Sequence, residues 1–174
     1  MSIADDLLAL AKKMVNYQKS DLSDVRVRRA ISTAYYAIFH LLTESGAAKL
    51  ANHPGTRLLA GRAFNHGDMQ KTAKAFKSGA GGLPDVLKIP FGGAVPLVPT
   101  ELVRVASAFV ELQDARHVAD YDPSRTYTRA VARAMVAKVG RAFTDWKTFT
   151  GDPTNADLCD LFLASLLIGE RWKR

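Results

Sequence analysis

Residues 28–42, RRAISTAYYAIFHLL, constrain the fold more than any other stretch of the chain. At about 100° per residue, Ile31, Tyr35, Ile38 and Leu42 point one way along a helix, with Ala34 and Phe39 at the edges. Arg29, Tyr36 and His40 fall within roughly 40° of one another on the opposite side, with Thr33 beside them. One side therefore belongs in a core. The other carries a polar group that is unusual for a purely structural helix.

The helical period recurs through most of the chain. Residues 3–17 carry apolar positions at helical spacing, with Ser2 placed to cap them. The central helix is expected from near Leu22 to Glu44, capped by Ser20 or Ser23 and stopped at Gly46. Residues 47–67 are less regular, and 68–77 form a short helix with Lys71, Lys74 and Lys77 away from its apolar side. Five of the 12 glycines and four of the seven prolines fall in Ser78–Pro99, so no continuous helix can run there. So long a connector reads as a functional flap or a mobile insertion. Thr100 caps the next helix, which runs toward Ala119. Asp122 and Pro123 start another, which runs to Phe149, with Arg125, Arg129 and Arg133 as an i, i+4 row on its outside. Asp152 and Pro153 start a last helix by the same device. The basic end, Glu170–Arg174, reads as a frayed terminus. No strand pattern and no internal repeat appears. The fold class is all-α, a single domain over residues 1–174, built as an up-and-down bundle of five to six helices with an irregular Gly/Pro-rich loop inside it.

Charge narrows the partners. Lys and Arg number 24 against 17 Asp and Glu, a formal +7, with a pI near 9.7. That balance favours an anionic partner, nucleic acid first. No apolar run approaches the ~20 residues that cross a bilayer. The start, MSIADDLLALAKK, has acids ahead of its apolar residues and no basic leader. The expected location is cytoplasmic, with no membrane contact. Cys159 is the one cysteine; it sits in an apolar segment and reads as a buried structural thiol.

Several chemistries lack their residues. The four histidines, His40, His53, His66 and His117, show no i, i+4 pair and no His-Glu-x-x-His, so neither a metal nor another cofactor is expected. No Gly-x-Ser-x-Gly elbow is present, and the GAGG string lacks the Lys-Ser or Lys-Thr of a phosphate loop. Three polar clusters remain: Arg62 with His66; Arg116, His117, Asp120 and Tyr121; and Arg29, Tyr36 and His40. Arginine with histidine is what metal-free RNA cleavage uses. Histidine moves the proton, and arginine holds the phosphate as charge develops. Each cluster also has a structural reading, as an ion pair or a core-edge aromatic.

Residues 28–40, RRAISTAYYAIFH, followed by Arg116-His117-Val118-Ala119-Asp120-Tyr121, resemble the HEPN domain superfamily. The nearest likeness is to its small stand-alone prokaryotic members with an A-x-S-x-A-Y-Y-A-x-F helix and a later R-x-x-A-D-Y. The resemblance covers roughly residues 4–148, apart from the Gly/Pro segment. It implies a helical bundle, usually a homodimer. It also implies either a metal-independent ribonuclease of a toxin–antitoxin or antiphage defence system, or a non-catalytic module that binds nucleotides or protein, often beside a nucleotidyltransferase. Arg116 carries over best, with Asp120 and Tyr121 as the branch's own signature. The chain departs from the ribonuclease members at one point: Arg116 is followed, after four intervening residues, by Tyr121, where they place histidine.

The expected function is thus an RNA-directed protein whose partners are RNA or a nucleotide, a second copy, and an antitoxin or nucleotidyltransferase. Arg116, His117, Asp120, Tyr121, Arg62 and His66 are the catalytic candidates. Arg29, Tyr36 and His40 form an interface or a wall of the site.

Overall fold

The computed structural model describes residues 2–17, 23–94 and 96–169. Among these there is no strand, and seven α-helices follow one another: α1 (Ile3–Val15), α2 (Asp24–Leu50), α3 (Pro54–Arg62), α4 (His66–Lys77), α5 (Thr100–Tyr121), α6 (Arg129–Gly151) and α7 (Ala156–Ile168). The all-α class stands, with more helices than the expected five to six. None is long and apolar enough to cross a membrane. The chain divides into two compact units, Met1–Leu41 with Ala108–Phe143, and Leu42–Ser107 with Thr144–Arg174.

In the first unit, Ser2 and Asp5 close a capping box on α1: the Asp5 amide donates to Ser2 Oγ at 3.2 Å, and the Ser2 amide to Asp5 Oδ2 at 3.3 Å. The helix ends at Val15, two residues short of expectation. Its buried row is Ala4, Leu8, Ala11 and Val15. In α2, Ile31, Ala34, Tyr35 and Ile38 are wholly buried, as the spacing predicts. Each large side chain among them contributes about 1.5–3 kcal/mol of burial. Tyr35 meets Phe109 of α5 at 5.8 Å between ring centres. Arg133 Nε of α6 donates to the Val15 carbonyl at 3.3 Å, tying α6 to the end of α1.

Helix α6 does not begin at Asp122. The Asp122 carboxylate accepts from its own turn, from the Ser124 amide at 3.0 Å and the Ser124 hydroxyl at 2.6 Å. That is an Asx turn, which shares its sequence signature with a helix cap. The cap is Thr128, whose Oγ1 accepts from the Val131 amide at 3.2 Å. Arg125 therefore lies outside the helix, and the expected Arg125–Arg129–Arg133 row is not a helical face.

In the second unit, α2 continues through Gly46 to Leu50. Gly46 is a packing site rather than a stop: a Cβ there would lie 2.4 Å from the Phe64 ring. Helix α3 arises where irregular chain was expected. Pro54 occupies its first turn and His53 Nδ1 accepts from the Gly55 amide at 3.2 Å, but it has no buried residue and so no apolar stripe to read. Helix α4 is capped by Asn65 and buries Met69, Thr72, Ala73 and Phe76. Phe76 meets Phe162 of α7 at 4.8 Å, and the Thr72 hydroxyl donates to the Ser165 carbonyl at 3.0 Å. Between α4 and α5 lie two 3-10 turns, Ala80–Gly82 and Asp85–Phe91, with Leu83, Leu87 and Val98 buried as anchors. The segment is thus less irregular than expected. Gly92, at φ 64°, supplies the left-handed residue that ends the second turn. Asp152 and Pro153 open a 3-10 turn that leads into α7. Cys159 is buried, and burial pushes its thiol pKa up. Ser20 and Glu170–Arg174 lie outside the described residues.

Candidate functional site

The two motifs singled out in the sequence meet inside the first unit. Ser32 and Asp120 are joined by a 3.1 Å hydrogen bond from the serine hydroxyl to Oδ2. Arg116 Nη2 donates to the Tyr36 hydroxyl at 3.0 Å. Ser32 and Tyr36 are one helical turn apart on α2; Arg116 and Asp120 are one turn apart on α5. The contact is therefore two matched i, i+4 rows, side by side.

An open cleft of about 480 Å³ lies along this seam, lined from α2 by Arg28, Arg29, Ser32 and Tyr36 and from α5 by Arg116, Asp120 and Tyr121, with Val25 and Ala119. Arg116 is its centre. Its Nε is 2.8 Å from Asp120 Oδ2, and its Nη2 is 3.5 Å from the Tyr121 hydroxyl. The guanidinium lies 5.5 Å from the Tyr36 ring centre and 5.3 Å from that of Tyr121, within the range of cation–π attraction. Burial works against the Arg116 charge, but Tyr36, Asp120 and Tyr121 together outweigh it and hold the group more firmly protonated than an ordinary arginine. The result is a positive charge fixed in orientation by a carboxylate behind it and two aromatic hydroxyls beside it. Such a group can hold an anion without first paying to order a long side chain.

Arg28 stands differently. Its Nη1 donates to the carbonyls of Ala119 at 2.9 Å and Asp122 at 3.0 Å, its Nη2 to the Arg125 carbonyl, and its Nε pairs with Asp24. These are the carbonyls that a helix end and a turn leave unsatisfied. Helix α5 has no basic residue in its own last turn, and Arg28 supplies that charge from α2.

The remaining candidates are placed as follows. Arg29 and Tyr36 line the cleft. His40 does not; it is half-buried with its ring edge-on to Phe39, 5.6 Å between centres. Thr33 turns to Met14, with 3.9 Å from its hydroxyl to the sulfur. His117 is exposed, and its ring lies 5.2 Å from that of Tyr121, so it flanks the cleft rather than lining it. Arg62 closes α3 and His66 opens α4, both in the second unit, at the turn between two helices and not on one helical face. Among the described residues, no group of three His, Cys, Asp or Glu is placed to hold a metal ion.

Sequence reasoning missed Arg28 and Ser32 as members of the site. Ser32 had a signal: Arg28, Ser32 and Tyr36 form a polar row at i, i+4, i+8 in an otherwise apolar stretch. Arg28 had none, because backbone carbonyls leave no mark on a sequence. No family model, curated protein or solved structure matches the chain.

Proposed function

We propose that this chain is an RNA-directed protein of HEPN-like design, acting as a metal-independent ribonuclease in a toxin–antitoxin or defence setting. The observation that carries the reading is Arg116, anchored by Asp120 and flanked by the Tyr36 and Tyr121 hydroxyls in a cleft that also holds Arg29. In this reading Arg116 holds the scissile phosphate and the two tyrosine rings bound the space for a sugar or base. Cleavage then runs by attack of the 2′-hydroxyl on its own phosphate. A base removes the hydroxyl proton, the P–O5′ bond breaks, and the leaving oxygen takes up a proton. His117, beside Tyr121, is the imidazole nearest in kind to that task.

The test is incubation of the purified protein with cellular RNA in EDTA, with Arg116→Ala and His117→Ala in parallel. The wild type should cut, and both substitutions should lower the rate by 10²-fold or more, as loss of a charge-stabilising or proton-transferring group does. Intact RNA with the wild type, or equal cutting by both variants, overturns the mechanism.

One observation favours a second reading. The cleft lining contains no histidine. A cleft that holds phosphate without cutting fits a non-catalytic, dimeric nucleotide- or protein-binding module that partners a nucleotidyltransferase. It predicts RNA or ATP binding that Arg116→Ala weakens, with no strand scission at any protein concentration.

A further inference from the structure

Helix α1 is apolar on two sides, and one of them faces the core. The buried row is Ala4, Leu8, Ala11 and Val15. A second row, Ile3, Leu7, Leu10 and Met14, repeats at alternating steps of four and three, and Tyr17 extends it two residues past the helix end. At 100° per residue the four helical members fall within about 60° of arc, centred roughly 100° round the helix from the buried row. The rows differ in size as well as direction. Two of the four buried members are alanine, whereas the outer row holds large side chains throughout. Ile3 and Leu10 are 59 % and 44 % exposed, and Leu7 and Met14 are half-buried. At its far end the row leans on α2, where Thr33 meets the Met14 sulfur and the Arg26 guanidinium lies 3.9 Å from the Tyr17 ring centre. Single exposed apolar side chains are ordinary on a protein surface. A row at this spacing is the seam along which one helix packs against another.

The charges of α1 say what the second helix is. Asp6 and Lys13, both exposed, border the row on its solvent side, one heptad apart. The macrodipole favours acids at the start of any helix and bases at its end, and Asp5, Asp6, Lys12 and Lys13 satisfy it. It does not call for the apolar row between them. A helix with opposite charges at its two ends, along one apolar seam, is complementary to itself turned end for end. A two-fold axis across the row sets Asp6 of each copy beside Lys13 of the other. The midpoint between Asp6 and Lys13 falls between Ala9 and Leu10, in the middle of the row, so one axis aligns the charges and the apolar side chains together. A parallel pairing would instead set Asp6 against Asp6 and Lys13 against Lys13.

We propose that the outer row of α1 is a self-association surface, on which α1 of a second copy packs antiparallel. The helix is 13 residues long, so the contact runs about 20 Å and is one helix wide. That is smaller than an obligate interface, and association in the micromolar range is expected. The pairing is independent of what the Arg116 cleft binds.

The test is sedimentation equilibrium of the chain from about 1 to 200 µM, where the wild type should show a monomer–dimer equilibrium with a micromolar Kd. Ile3→Gln/Leu10→Gln should raise that Kd about a hundredfold, because each dimer loses four apolar side chains from its seam. Asp6→Lys should raise it about three- to tenfold by opposing two lysines twice in each dimer. Asp6→Lys/Lys13→Asp should return it to within about threefold of the wild type, since the swap restores both pairs. Leu58→Gln/Leu59→Gln strips two still more exposed leucines from α3 and should leave the Kd unchanged. Glutamine keeps helix propensity, and circular dichroism checks folding. A wild type that stays monomeric at 200 µM overturns the proposal, whether or not a vesicle or another protein takes the row. So does an Ile3→Gln/Leu10→Gln protein that pairs as well as the wild type, or an equal loss in the α3 control. A double swap that associates no better than Asp6→Lys alone overturns the antiparallel pairing.

Discussion

Ser32 is small and sits at 3 % exposure, yet its hydroxyl is what holds the Asp120 carboxylate that in turn faces Arg116. Ser32→Ala removes a bond to a charged acceptor, and the expected cost is about 1.5–3 kcal/mol in urea unfolding. Tyr36→Phe keeps the ring and removes a hydrogen bond from the charged Arg116 guanidinium, so the same cost of about 1.5–3 kcal/mol is expected. Tyr35 behaves differently from either. It is fully buried, and burial raises its hydroxyl pKa above the ordinary tyrosine range. A group raised in the folded state stabilises fully below its unfolded pKa, ~10, and loses that contribution as pH climbs beyond it. Thermal unfolding between pH 9 and 12 should therefore show a steep alkaline loss of stability that Tyr35→Phe flattens.

At the scale of the element, the helices that could be read from sequence are those with one face in a core. The rows in α1 and α2 run as the spacing requires, because burial imposes the 3.6 period. Helix α3 escaped notice because it buries nothing, and what defines it is local: His53 as cap and Pro54 behind it. The start of α6 was misplaced because aspartate before proline marks an Asx turn as readily as a helix cap, and only the hydrogen bonds of Ser124 and Val131 separate the two. Gly46 misled for the opposite reason: it is required by the Phe64 ring and not by a left-handed backbone. Gly46→Ala should destabilise by about 1–3 kcal/mol through overpacking, and Phe64→Leu in the same chain should recover part of that. The polar half of the site was legible where side chains pair with side chains, as in Arg116 with Asp120. It was illegible where Arg28 clamps carbonyls. Arg28→Lys keeps the charge and loses the fork, so amide exchange at 119–126 should quicken while α1 stays protected.

At the scale of the molecule, each compact unit is assembled from stretches far apart in the chain. The first needs both Met1–Leu41 and Ala108–Phe143, since the apolar side of α2 has its partners on α5. A fragment ending at Leu50 should therefore lack stable helix by circular dichroism, being two helices without the face they bury against.

The Ser32–Asp120 bond spans 88 positions. At ribosomal rates of about 5–20 residues per second, roughly 4–18 seconds separate the making of its two halves. Until Arg116 and the turn held by Arg28 have been translated, there is no cleft at all. A nascent chain, or one cut short by a premature stop before α5, has only the α2 half of that wall. Synthesis itself therefore sets a delay: the cleft can close only once α5 and the turn after it have left the ribosome.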